Sequence, residues 1–215
     1  MTIAPSLAHR TIPTRDRGTG SRTGRLVDPY NRRELCFESG LEYAWLQVLI
    51  ASPDVAEVRE QQRLEIPYRK GKRVHFFDSQ VFMKNGWVRA RAVKYAKDVN
   101  DDLRQLLADA ATHVGDRFAN DYGLLTEKHL TRTMIWNSRQ IISCAKDFDY
   151  EAQHALMGEL AKAGEFVSVG ACDHLLGDGR RGSRAAMALI KSGKLILPAN
   201  TRLGRDTVLR NLFTN

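Results

Sequence analysis

The 215-residue sequence predicts an α/β protein in which an αβββαβ core is followed by a mostly helical domain. Apolar residues recur at helical spacing over residues 38–51 and again over residues 98–111. Between these helices the chain carries segments rich in β-forming residues, bounded by turn residues. Beyond residue 126 the apolar spacing is helical again, which predicts a second domain over residues 127–215.

The core begins with a predicted helix over residues 38–51. Ser39 lies near its start and Pro53 lies just beyond its end, as is typical of helix boundaries. The apolar residues at helical spacing are Leu41, Trp45, Val48 and Leu49. The helix of residues 98–111 and a short strand at residues 122–125 close the core, which we assign to residues 34–126. The sequence predicts four strand segments between the two helices, one more than the αβββαβ order contains, at residues 55–61, 64–68, 74–83 and 88–95, with turns at residues 69–72 and at Asn85-Gly86.

Residues 1–33 are rich in Ser, Thr, Gly, Pro and Arg and show no periodicity long enough to bury a face. This composition predicts a basic arm without regular secondary structure. The sequence leaves two interpretations open, a disordered tail or a tail that becomes ordered along a DNA backbone.

The C-terminal domain has the predicted order of a winged helix-turn-helix. Its last elements are a short helix, a glycine-rich turn, a longer helix at residues 182–193 and a β-segment. Basic residues crowd around that longer helix, and its N-terminus favours phosphate. An alternative is that the helix packs against protein, because its residues include many apolar ones. The residues predicted to bind DNA are Arg180, Arg181, Arg184, Lys191, Arg202 and Arg205.

Composition restricts the class of protein further. The net charge of +8 and the pI of about 9.6 point to a polyanionic partner. No stretch approaches the ~20 apolar residues of a membrane span, and we expect a cytoplasmic protein. Cys36, Cys144 and Cys172 form no CxxC pair, so the sequence supports neither a zinc site nor a disulfide framework, and we expect free thiols.

Three residues of the core suit phosphodiester hydrolysis. That reaction uses carboxylates on rigid elements to hold a metal ion, and a cation near the nucleophile. The core offers Glu42 on its first helix, Asp78 on a middle strand and Lys94 at the end of the next strand. Each of them alone would be interpreted as a solvated surface charge. Their joint order within one predicted fold favours a site for Mg²⁺, which prefers oxygen ligands.

Several short segments resemble the TnsA-type transposon endonucleases. The segments are FESGLEY at residues 37–43, SPDV at 52–55, REQ at 59–61, FD at 77–78 and VK at 93–94, and beyond them LLTE at 124–127 and WN at 136–137. The resemblance implies a restriction-endonuclease-like N-terminal domain and a C-terminal winged helix. It also implies a magnesium- or manganese-dependent endonuclease that cuts one strand of double-stranded DNA at the ends of a mobile element. Its implied partners are a DDE transposase subunit and an AAA+ regulator.

The resemblance assigns roles to individual residues. Glu42 matches the acid on the helix, Asp78 the principal metal ligand, and Lys94 the lysine beside the attacking water. Ala92 departs from the family, which has Glu or Gln there, and an alanine side chain cannot bind a metal. The backbone carbonyl of Val93 is the further ligand that we expect alongside the two carboxylates.

The alanine leaves a second hypothesis open. The chain could be a catalytically impaired DNA-binding assembly factor or transcriptional regulator that keeps the nuclease fold as a scaffold. An RNA-processing nuclease is disfavoured, because the sequence carries no RNA-recognition motif. Gln61 also matches a landmark of the family, and we interpret it as structural.

Overall fold

The computed structural model describes residues 2–11, 22–68, 71–145, 148–177 and 179–213, and it confirms a mixed α/β fold. The chain divides into two compact units. The first unit comprises Met1–Ile50 and Asp54–Leu130, and the second comprises Ala51–Pro53 and Thr131–Asn215. Within the described ranges, no helix combines the length and the apolar character needed to cross a membrane.

The first unit contains a two-stranded and a four-stranded sheet. Its elements are β1 (Gly24–Asp28), β2 (Arg33–Phe37), α1 (Gly40–Ala51), β3 (Val55–Tyr68), β4 (Gly71–Met83), β5 (Val88–Val93), α2 (Asp101–His113) and β6 (Asp121–Leu125). The larger sheet has the order β3-β4-β5-β6. Its β3/β4 and β4/β5 pairs are antiparallel, whereas β5 and β6 are parallel. The parallel pair requires a crossover connection, and α2 provides it.

Helix α2 covers an apolar part of the large sheet. The Asn100 side chain caps it by accepting a hydrogen bond from the Leu103 N–H at 2.9 Å. The buried residues of α2 pack with residues of β3, β4 and β5 in one cluster. The members of this cluster include Leu64, Ile66, Phe77, Ala90, Ala92, Leu106, Leu107 and Ala110. This core fixes the positions of β4 and β5, the strands at which Asp78 and Val93 lie.

The prediction that residues 1–33 lack regular structure is wrong for part of that segment. Gly24–Asp28 forms β1, which pairs with β2 along its whole length. The buried Asp28 carboxylate closes the turn between them by accepting the N–H groups of Tyr30 at 2.9 Å and Asn31 at 3.2 Å. A strand of five residues with two apolar ones was too short to show a periodicity. Residues 12–21 of the predicted arm lie outside the described residues.

The second unit is helical with a small sheet. Its elements are α3 (Arg132–Cys144), α4 (Tyr150–Leu160), β7 (Phe166–Ser168), α5 (Val169–Leu175), α6 (Arg181–Ser192), β8 (Leu195–Ile196) and β9 (Val208–Asn211). The sheet has the order β7-β9-β8, and both of its pairs are antiparallel. The predicted helices are present, whereas β7 and β9 were not predicted because each has only three or four residues.

Helix α6 depends on a close backbone contact with α5. A Cβ atom added to Gly182 would lie 1.7 Å from the carbonyl oxygen of Cys172. Such a distance is far inside van der Waals contact, so only glycine fits there. The buried Asp173 carboxylate at the same contact accepts the Ser183 N–H at 2.7 Å, which caps the start of α6.

We expect Gly182→Ala to lower the free energy of unfolding by about 2–3 kcal/mol, because the added methyl group must push α5 and α6 apart. Urea unfolding followed by far-UV circular dichroism measures the change. Gly158→Ala is the matched control, because Gly158 lies inside α4 and a Cβ added there meets no atom within 4 Å. That substitution should stabilise the protein by about 0.5–1 kcal/mol. Equal effects of the two substitutions would contradict the close contact.

Candidate functional site

The three residues predicted to form a site lie at the start of α1, on β4 and just beyond β5. Glu42 is in the first turn of α1, and the Ser39 hydroxyl accepts its N–H at 3.1 Å. The Glu42 carboxylate in turn accepts the Glu38 N–H at 2.9 Å. This reciprocal arrangement resembles a capping box and fixes the Glu42 side chain against the helix end.

Glu42 and Asp78 are joined by one side-chain amide. Nε2 of Gln61 lies 3.2 Å from Oε2 of Glu42 and 3.1 Å from Oδ1 of Asp78. The other Asp78 oxygen, Oδ2, accepts the Val93 N–H at 2.6 Å. The structure therefore brings the two predicted carboxylates together and connects them to β3 and β5.

Burial and mutual repulsion perturb both acids. The pKa of Asp78 is raised to about 7, first by burial and then by the negative charge of Glu42. The hydrogen bonds from Val93 and Gln61 and the charge of Lys94 oppose that rise without cancelling it. The pKa of Glu42 is also raised, chiefly by burial. Two adjacent carboxyl groups that resist ionisation form a site whose charge a bound cation would offset.

Gln61 adopts a backbone conformation that few side-chain-bearing residues take. Its φ is 50°, its side chain is fully buried, and the β3/β4 ladder skips the pair formed by Gln61 and Asp78. A left-handed residue within a strand costs energy that the surroundings must offset, and such residues cluster at functional sites. Our interpretation of Gln61 as merely structural missed its position between the two acids. A polar glutamine at the end of the strand predicted over residues 55–61 was the available indication.

Lys94 is exposed and follows the last residue of β5. Its N–H donates to the Leu125 carbonyl at 3.0 Å, which continues the parallel pairing of β5 with β6. Its positive charge acts on Asp78 and also on His75. The predicted lysine therefore lies near enough for its charge to act on Asp78.

Val93 and Ala92 take different positions at the end of β5. The contact that Val93 makes with Asp78 is through its N–H, whereas we predicted its carbonyl as a metal ligand. Ala92 is buried in the apolar cluster beneath α2. The space that a glutamate would need at position 92 is therefore occupied by core side chains.

The residues present supply part of a metal site. Among the described residues, no group of three or more His, Cys, Asp or Glu side chains is arranged to hold a metal ion. Glu42 and Asp78 nevertheless supply carboxylate oxygens close together, the donor type that magnesium and manganese prefer. Two carboxylates with raised pKa values around one amide fit a divalent cation that is completed by carbonyl or water oxygens.

The predicted DNA-binding residues of the second unit fall into two groups. Arg180, Arg184 and Arg205 line one pocket of about 350 Å³ at the start of α6, where Arg205 lies 3.9 Å from the Asp173 carboxylate. The other three do not line that pocket, and each of them contacts a residue of the same unit. Arg181 binds both oxygens of Asp149, at 2.8 and 3.1 Å, Lys191 donates to the Ser52 carbonyl at 2.6 Å, and Arg202 lies 4.2 Å over the ring of Trp136.

Trp136 and Asn137 connect α3 to the loop before β9. The Trp136 indole N–H donates to the Leu203 carbonyl at 2.9 Å. The Asn137 side chain donates to the Thr201 carbonyl and accepts the Leu203 N–H, each at 2.8 Å. This pair therefore orders the segment that carries Arg202 and Arg205.

Comparison with known proteins adds no assignment. No protein-family model matches the chain, and no curated protein matches it significantly.

We expect the stability of the protein to fall with rising pH because of Asp78. Its pKa is raised from 3.8 to about 7 in the folded state, so stability is lost between about pH 4 and pH 7. Asp78→Asn removes this titration. At about pH 8, with a chelator present, the variant should be more stable than the wild type by on the order of 2 kcal/mol, after one lost hydrogen bond is allowed for. The difference should shrink towards pH 4.

Chemical unfolding across this pH range measures the effect. Asp121→Asn is the matched control, because Asp121 also lies on a strand of the large sheet but forms an ion pair with Arg91 and is substantially exposed. Asp121→Asn should lower the free energy of unfolding by about 0.5 kcal/mol, and it should not stabilise the protein at higher pH. An Asp78→Asn variant that is less stable than the wild type at every pH would show that the Asp78 carboxylate is not destabilising.

Proposed function

We propose that this chain is a metal-dependent DNA endonuclease with a restriction-endonuclease-like first unit and a winged-helix second unit. The observation that carries the proposal is the contact of Glu42 and Asp78 with one Gln61 amide, beside Lys94. The elements that hold these residues follow one another as αβββαβ. The chemistry that we expect of this arrangement comes from the resemblance to the TnsA-type endonucleases.

Each residue of the site has a task in phosphodiester hydrolysis. Glu42 and Asp78 would hold the metal ion, with the Val93 carbonyl as the further ligand that we propose. When bound, a divalent ion activates water and offsets the charge that develops on the phosphate. The Val93 N–H keeps the Asp78 carboxylate in a fixed orientation. The ammonium group of Lys94 adds positive charge near the attacking water and the scissile phosphate.

The topology of the second unit supports a winged helix. The sequence α4-β7-α5-α6-β8-β9 and the sheet order β7-β9-β8 place a helix pair before a β-hairpin, as that motif requires. Helix α6 would be the recognition helix, and the loop between β8 and β9 would be the wing. Arg180, Arg184 and Arg205 around one pocket are the residues that we propose to contact phosphate.

The net charge of +8 favours double-stranded DNA as the partner of both units, because neutralised phosphates release counterions. A DDE transposase subunit that cuts the other strand and an AAA+ regulator are further partners that we propose from the resemblance alone.

A second candidate is a DNA-binding assembly factor that has lost cleavage. The burial of Ala92 favours it, because the family acid at that position is replaced by a core residue. The cleavage experiment below distinguishes the two candidates, since only the first requires Asp78.

We expect the protein to nick DNA with Mg²⁺ or Mn²⁺, and Asp78→Asn to reduce the rate by at least ~100-fold, because the principal metal ligand is lost. Supercoiled plasmid and linear DNA carrying mobile-element ends serve as substrates, with and without a candidate transposase. Asp121→Asn is again the matched control and should cleave as the wild type does. The absence of nicking under all conditions, or unchanged nicking by Asp78→Asn, would refute the endonuclease and leave the assembly factor.

We expect Arg180→Ala/Arg184→Ala to weaken DNA binding for all sequences and to lower the salt slope by about one for each lost phosphate contact. Lys162→Ala/Arg210→Ala is the matched control. It removes the same charge from the same unit, but its residues do not line the pocket. Fluorescence anisotropy at several salt concentrations measures both. Equal losses in the two double variants would show that net charge, rather than this pocket, governs binding.

A further inference from the structure

The chain segment of residues 6–10 lies along β3, next to the carboxylates. The His9 N–H donates to the Gln61 carbonyl at 3.1 Å, and the His9 ring accepts the Arg63 N–H at 3.1 Å. The Gln62 side chain donates to the Leu7 carbonyl at 2.9 Å. These contacts follow consecutive residues of β3 and hold the segment against the strand at the level of the site.

Arg10, the last residue of this segment, binds the amide that joins the two acids. Its Nε donates to Oε1 of Gln61 at 2.9 Å, and its guanidinium forms an ion pair with Glu38 and lies 5.1 Å over the ring of Phe76. The Arg10 side chain is about one-third exposed. It is therefore anchored on three sides but still open to solvent.

Arg10 determines which end of the Gln61 amide faces the carboxylates. A guanidinium group can only donate hydrogen bonds, so the acceptor end of the amide must face it. The oxygen of the amide therefore points to Arg10, and its N–H groups point to Glu42 and Asp78. In this orientation the amide occupies carboxylate oxygens that a metal ion would need.

The positive charge of Arg10 also disfavours the binding of a metal ion. Burial raises the pKa of Glu42, and the nearby charge of Arg10 opposes that rise. A positive charge that contacts the Gln61 amide also opposes the approach of a cation to the carboxylates.

We propose that Arg10 is a gate on the metal site: it holds the Gln61 amide as a donor to Glu42 and Asp78, and its release raises the affinity of these carboxylates for a divalent cation. This inference rests on the proposed metal-dependent function. The chemistry that would release Arg10 is a phosphodiester, because a guanidinium binds phosphate oxygens in a bidentate manner and its side chain is accessible. DNA at the site would then promote metal binding, and by linkage the metal would promote DNA binding.

The gate is tested by the binding of Mn²⁺ alone to the full chain, without DNA, using isothermal titration calorimetry. We expect Arg10→Ala to bind Mn²⁺ about tenfold more tightly than the wild type, which corresponds to about 1.4 kcal/mol. Arg25→Ala is the matched control, because Arg25 pairs with Glu34 on the small hairpin and its loss changes the net charge equally. It should bind as the wild type does. Asp78→Asn should abolish binding, and circular dichroism checks that each variant is folded.

The remaining outcomes separate the gate from the metal site itself. If the wild type binds Mn²⁺, Asp78→Asn does not, and Arg10→Ala binds equally or more weakly, the gate is overturned while the metal site stands. An equal gain in Arg10→Ala and Arg25→Ala also overturns it, because net charge then explains the change. If neither the wild type nor Arg10→Ala binds more Mn²⁺ than Asp78→Asn, both the gate and the proposed metal site are wrong.

Discussion

The Gln61 amide is the interaction on which the arrangement of the site depends. It contacts a carboxylate from α1 and another from β4, while its own backbone belongs to β3. Without that donor, Glu42 and Asp78 would face each other with raised pKa values and little to offset their charge. The left-handed φ of Gln61 is the conformational cost of this position, and the surrounding ladder of β3 and β4 offsets it. The site thus combines a strained residue with two acids that oppose folding when they are ionised.

Features that depend on local periodicity could be predicted from the sequence. Helices α1 and α2 follow from apolar residues at helical spacing, and the proposed acids follow from their order along the chain. The role of Gln61 could not be predicted, because its φ and its two acceptors arise from the pairing of β3 with β4 and the packing of α1. The single strand β3 was predicted as two strands, since polar residues around position 62 interrupt the pattern while their backbone still pairs with β4. Strand β1 was missed because only its pairing with β2 stabilises it.

The arginines of the second unit show a similar limit. A sequence gives the number of positive charges near α6 but not the partners that each of them finds. Arg181 is held by Asp149, a residue 32 positions earlier, and Lys191 is held by a backbone carbonyl. Exposed ion pairs of this kind contribute little to stability, yet they compete with phosphate for the same guanidinium. Arg180, Arg184 and Arg205 share one pocket, although Arg205 is itself paired with Asp173, and this shared position makes them a narrower candidate for DNA contact than the full set of basic residues.

The backbone contact at Gly182 restricts how α6 can move relative to α5. Because the α5 backbone lies where a side chain at position 182 would begin, the two helices cannot slide or rotate independently at that point. The Asp173 carboxylate of α5 accepts the N–H of Ser183, the residue after Gly182 in α6. This hydrogen bond joins the two helices next to the backbone contact. Arg180 and Arg184 flank this junction. The backbone positions from which these two side chains extend are thus set by the packing of α5 against α6.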